Sequence, residues 1–67
     1  MVGDVMIIID EIKKVQEAFS PPLTLEDAVS KVNEMTGEHV QFASPLRQKL
    51  LIESYLYQLM RMRNSRI

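Results

Sequence analysis

Histidine occurs once in this chain, at His39, and the acidic residues that could act together fall in two adjacent pairs, Asp10-Glu11 and Glu26-Asp27. An imidazole titrates near neutrality and a carboxylate can give or take a proton, so general acid-base catalysis is the chemistry these residues could offer. Their placement speaks against it. Neighbours on a helix point ~100° apart, which sends the two carboxylates of each pair in different directions. Asp10-Glu11 lies opposite an apolar stripe, as a solvated helix face does. Glu26-Asp27 stands at a helix start, where acidic side chains complement the helix dipole. His39 falls in a loop with no nucleophile attached to it by sequence, which makes it a structural or exposed residue.

Other site chemistries find less support. There is no cysteine, so a disulfide framework is excluded and a zinc site would have to rest on one histidine and carboxylates. Glycine occurs only at positions 3 and 37, which leaves no phosphate-cradling loop, and no nucleotide, calcium, zinc-protease or nucleophile-elbow pattern is present. The sequence predicts no enzyme, no cofactor and no metal.

The basic residues are more suggestive. Residues 40–67 hold Arg47, Lys49, Arg61, Arg63 and Arg66 against Glu53 alone, a balance of +4, whereas residues 1–39 hold three basic side chains against eight acidic ones, a balance of −5. The two halves attract each other, within one molecule or between copies. The cations near the C-terminus also complement the negative end of a helix, and they are the residues that would meet an acidic protein or nucleic-acid phosphates. A helix-turn-helix is disfavoured by the eight residues, 37–44, between the second and third helices, because the usual turn has three or four.

Three helices position these residues, in a single domain over 1–67. The first is predicted over 5–19, with Val5, Ile8, Ile9, Ile12, Val15 and Phe19 at helical spacing, Asp4 as its cap and Ser20-Pro21-Pro22 as its stop. Residues 5–9 are rich in β-branched side chains and also fit a short strand. The second spans 25–36, capped by Thr24 and closed by Gly37; its narrow stripe of Leu25, Ala28, Val29, Val32 and Met35 predicts contact with one neighbour. In 38–43, Val40 and Phe42 alternate with polar residues, as a short extended segment that could cover Leu46 and Leu50 would. Ser44 and Pro45 open the third helix, over 45–63. The fold class is all-α, a three-helix domain with the long C-terminal helix at its centre.

That third helix is apolar on two sides. Leu51, Ile52, Tyr55, Leu56, Leu59, Met60 and Met62 fill about half its circumference at ~100° per residue, and Leu46, Leu50 and Tyr57 form a second patch. A 67-residue domain buries only about 60% of the surface of its unfolded chain, and small domains without disulfides or metals commonly associate. The expected interface residues are Leu46, Leu50, Tyr57, Met60 and Met62. Within this helix, Leu50-Leu51-Ile52-Glu53-Ser54-Tyr55 resembles a segment of the small helical-hairpin inhibitors of the sporulation histidine kinase. The second helix that continues the hairpin there finds no match after Tyr55, and no residue role is carried over.

The sequence thus predicts a helical homodimer that binds a further protein, as a regulator or inhibitor. A helical DNA-binding dimer and a structural assembly subunit are the alternatives. The apolar run at 5–9, flanked by Asp4, Asp10 and Glu11, is too short to span a bilayer and lacks the basic start of a signal peptide, which predicts a soluble cytoplasmic protein without a membrane partner.

Overall fold

The structure, a computed structural model, describes residues 7–64. Three helices, α1 (Ile9–Glu17), α2 (Leu25–Thr36) and α3 (Pro45–Asn64), are joined by a turn over 18–24 and by a link holding one 3-10 turn, Val40–Phe42. No strand occurs among the described residues, and the fold is all-α.

Helix α1 begins four residues later than its apolar pattern suggests. Ile8 is its extended cap residue and offers no capping side chain; instead the Ile8 amide donates to Gln48 Oε1 at 3.0 Å. Ile7 and Ile8 precede the helix, while Asp4 and the start of the 5–9 run lie outside the described residues. The helix ends at Glu17, ahead of Phe19 and the two prolines. The turn that follows is clamped by Gln16, whose carbonyl accepts from the Leu23 amide at 3.1 Å and whose side-chain Nε2 donates to the Leu23 carbonyl at 3.0 Å. The Ser20-Pro21 peptide bond within it is cis.

Helix α2 carries the expected punctuation. Thr24 Oγ1 accepts from the Asp27 amide at 3.1 Å, and Gly37 closes the helix in the left-handed region at φ 75°, donating to the Asn33 carbonyl at 2.8 Å. That φ strains any L side chain, although a Cβ there would meet nothing within 4 Å. A Gly37→Ala variant is therefore expected to lose about 1 kcal/mol through backbone strain alone, read as a lowered urea midpoint with an unchanged slope.

Residues 38–43 fold into the 3-10 turn rather than an extended segment, because Asn33 holds them. Its Oδ1 accepts from the Val40 amide at 2.7 Å and its Nδ2 donates to Gln41 Oε1 at 2.8 Å. The turn drives Val40 into the core and leaves Phe42 71% exposed, so Phe42 does not cover Leu46 and Leu50. Ser44 opens α3, its Oγ accepting from the Arg47 amide at 3.3 Å.

Ile12, Val15, Ala28, Val32, Val40, Leu51, Ile52 and Tyr55 form the core, with Phe19, Leu23, Val29, Leu56 and Leu59 packed around it. Each helix packs against both of the others. The arrangement is a mutual triangle rather than two helices laid on a central third, and α2 serves two neighbouring helices plus the 3-10 turn where its stripe predicts one. Ala28 and Val32 of this helix are fully buried in the same core as Val40.

Two polar residues enter the interior that the pattern places outside. Glu11 is buried beside Ile12, because the inward face of α1 turns toward Val15 and away from Ile9, which is 58% exposed. Lys14 balances it at 3.2 Å and reaches Glu53 of α3 at 3.9 Å, an ion triad between the two helices. Gln48, a polar residue in the first turn of α3, is only 2% exposed. It joins Ile8 to the Ala43 carbonyl, to which its Nε2 donates at 3.2 Å.

Candidate functional site: the outer face of the third helix

With Gln48, Leu51, Ile52 and Tyr55 turned inward, the opposite side of α3 must carry whatever lies half a turn away. It carries Leu46, Leu50, Tyr57 and Met60, which are 76, 59, 61 and 60% exposed. On a 3.6-residue helix these four fall within a single stripe about 80° wide. From Leu46 to Met60 it runs about 21 Å at 1.5 Å per residue. Tyr57, Met60, Arg61 and Asn64 shape a shallow depression at its far end.

Met62, also expected at an interface, does not join them. It lies on the other side of the helix with Met35, Tyr55 and Leu59, in a groove between α2 and α3. Tyr55 is core, as its position predicts, and burial pushes its phenol above the ordinary value, with the Arg63 charge opposing and Glu34 assisting.

The basic residues do not gather into one patch. Arg47 is bound through Nε and Nη2 to the Glu38 carboxylate, a pairing that raises its pKa further. Arg63 donates to the Ala18 carbonyl and lies over the Phe19 ring at 5.7 Å. Arg61 stands over Tyr57 at 5.9 Å, and Lys49 is exposed. Arg66 lies outside the described residues. Around the helix, Arg47 and Arg61 border one edge of the apolar stripe and Lys49 and Arg63 the other.

His39 is exposed in the link, its ring tilted against Phe42 at 6.0 Å. No group of three or more histidine and carboxylate side chains that could hold a metal occurs among the described residues. No described helix is long and apolar enough to cross a membrane. No family model, curated protein or solved structure matches this chain.

What could have revealed Gln48 is the hydrogen-bonding of the backbone. Ile8 lacks a capping side chain and Ala43 ends a 3-10 turn, so each needs a polar partner from elsewhere. Sequence spacing alone does not say which.

Proposed function

We propose that this chain is a small, non-enzymatic protein-binding module of the cytoplasm that acts as a regulator or inhibitor, by laying the outer face of α3 over a partner's surface and occluding it. The observation that carries this reading is the exposed stripe of Leu46, Leu50, Tyr57 and Met60 on a helix whose other side already fills the core. Single exposed apolar residues are ordinary; four aligned on one helix face match the anchors of helix-in-groove recognition. Tyrosine and methionine suit such a role, one as a rigid amphipathic anchor and the other as an adaptable filler.

Tyr57→Ala is expected to weaken association by about 1–4 kcal/mol while leaving the fold intact, since Tyr57 lies outside the core. The check is affinity capture with wild-type and Tyr57→Ala protein side by side, followed by titration of whatever the wild type alone retains. Equal retention by a folded Tyr57→Ala variant would overturn the reading.

A homodimer is the second reading of the same surface, favoured by the small core that one copy builds. An antiparallel pair would set Leu50 of one copy beside Met60 of the other. Light scattering at micromolar concentration in low and high salt decides it: a salt-resistant dimer supports it, a monomer throughout removes it. DNA binding would show a steep loss of affinity with salt. The pairing of Arg47 with Glu38 leaves it one fewer free cation. An assembly subunit would show oligomers above the dimer.

A further inference from the structure

Resting on the reading of α3 as a protein-binding face, we infer that its occupant is an acidic amphipathic helix of another protein, with apolar residues along its seam and Glu or Asp along both edges. The register of the stripe comes first. Leu46, Leu50, Glu53, Tyr57, Met60 and Asn64 follow one another at intervals of four, three, four, three and four residues, the 3.5-residue average at which one helix seats along another. A side chain on every one of these positions points away from the core, and the apolar ones are more than half exposed.

The edges decide the chemistry of the partner. In this register the flanking positions are Arg47, Ser54 and Arg61 on one side and Lys49, Leu56 and Arg63 on the other: four cations and no acid. Lys49, Arg61 and Arg63 have no carboxylate within ion-pair distance among the described residues. Arg63 gives one of its N–H donors to a carbonyl, which leaves its charge in place. Only Arg47 is neutralised, by Glu38. Flanking charges of this kind select partners and orientation in paired helices.

A second copy is the poorer occupant. Antiparallel pairing puts Arg47 of one copy toward Arg61 of the other and Lys49 toward Arg63. Parallel pairing sets Glu53 against Glu53 in the seam. Like charges face each other either way, and a partner with acidic edges relieves both arrangements. A membrane surface is also a poorer match, because Glu53 sits in the middle of the stripe, half exposed, where an anionic headgroup layer would repel it.

The test uses the full 67-residue chain and two designed peptides of about three heptads, each with leucine along its seam. One carries glutamate at all edge positions, the other lysine. Fluorescence anisotropy is expected to show the glutamate peptide binding at least about tenfold tighter than the lysine peptide at low salt, the summed effect of several exposed ion pairs. The margin should shrink as salt rises, and a Lys49→Glu, Arg61→Glu double variant should reverse the preference. Equal affinities that both fall in Tyr57→Ala would overturn the acidic partner and keep the binding face. No binding of either peptide would overturn both, as would binding that Tyr57→Ala leaves unchanged. Concentration-dependent dimers that displace the glutamate peptide, or tighter binding to anionic phospholipid vesicles than to that peptide, would overturn the acidic helix in favour of self-association or a membrane surface.

Discussion

Replacing Ile52 with alanine is expected to remove about 2–5 kcal/mol of stability, which is much of what a domain of this length has. At 0.05–0.15 kcal/mol per residue, 67 residues give roughly 3–10 kcal/mol in total. Ile52 is fully buried in a core of eight side chains drawn from all three helices and the 3-10 turn. Because those elements pack mutually, no single neighbour can shift to fill the void without opening another contact, and the cavity cost stays near its upper range. Urea unfolding followed by circular dichroism measures the loss. Ile52→Val, which removes one methyl, should cost only about 0.5–1.5 kcal/mol and keeps the comparison possible if the alanine variant is unfolded at the outset. An Ile52→Ala protein as stable as the wild type would mean that α3 is not packed as described.

Gln48→Met is the second large effect, expected at about 2 kcal/mol despite nearly equal side-chain size. The methionine fills the space but strands the Ile8 amide and the Ala43 carbonyl, and an unmet buried polar group costs about 1–3 kcal/mol. Both residues are only partly buried, so water recovers some of that, which holds the total below the sum of two full penalties. Gln48→Glu separates hydrogen bonding from packing. A protonated carboxyl reproduces the amide, accepting from Ile8 and donating to Ala43, whereas the ionised form is a buried charge facing a carbonyl. Folding then favours the protonated form, and the folded pKa rises above the unfolded one. The variant should be closest to wild type below the ordinary glutamate pKa and lose stability as pH climbs through the raised value. A pH-independent deficit in Gln48→Glu would argue that Gln48 acts by shape alone.

These two residues mark the boundary of what the sequence reveals. Ile52 is legible because helical periodicity reports which side of a helix is apolar, and Ile12, Val15, Val32, Leu51 and Tyr55 follow the same rule into the core. Thr24, Gly37, Ser44 and Pro45 are legible because each has a local backbone reason to be where it is. Gln48 and Glu11 are not, since their burial depends on groups tens of residues away: Ile8 for one, the carboxylate of Glu53 sharing Lys14 for the other. The 3-10 turn was hidden for a related reason. Alternation of Val40 and Phe42 suits an extended chain, and it is Asn33, on another element, that bends it.

The outer face of α3 belongs to the legible part. Leu46, Leu50 and Tyr57 could be set apart from the core side by angle alone, and all three are exposed. Met62 is separable from them in the same way, because its angle puts it on the core side with Leu51 and Tyr55; what angle does not show is that it stays at the rim there, 66% exposed. The arginines are legible as charge but not as geometry: their division between two edges follows from helical spacing, whereas the capture of Arg47 by Glu38 and of Arg63 by Ala18 depends on where the other elements end.

The Arg63 contact has a kinetic meaning. By gripping the Ala18 carbonyl and the Phe19 ring, it braces the last turn of α3 against the α1–α2 turn, so the helix reaches its far end already ordered. Under the proposed reading, a partner docking at Tyr57 and Met60 would meet an already braced helix, and binding would cost this chain little conformational freedom. Differences in residence time among partners would then be set by how much each partner must order itself, with a preformed helix leaving more slowly than a disordered segment of the same composition.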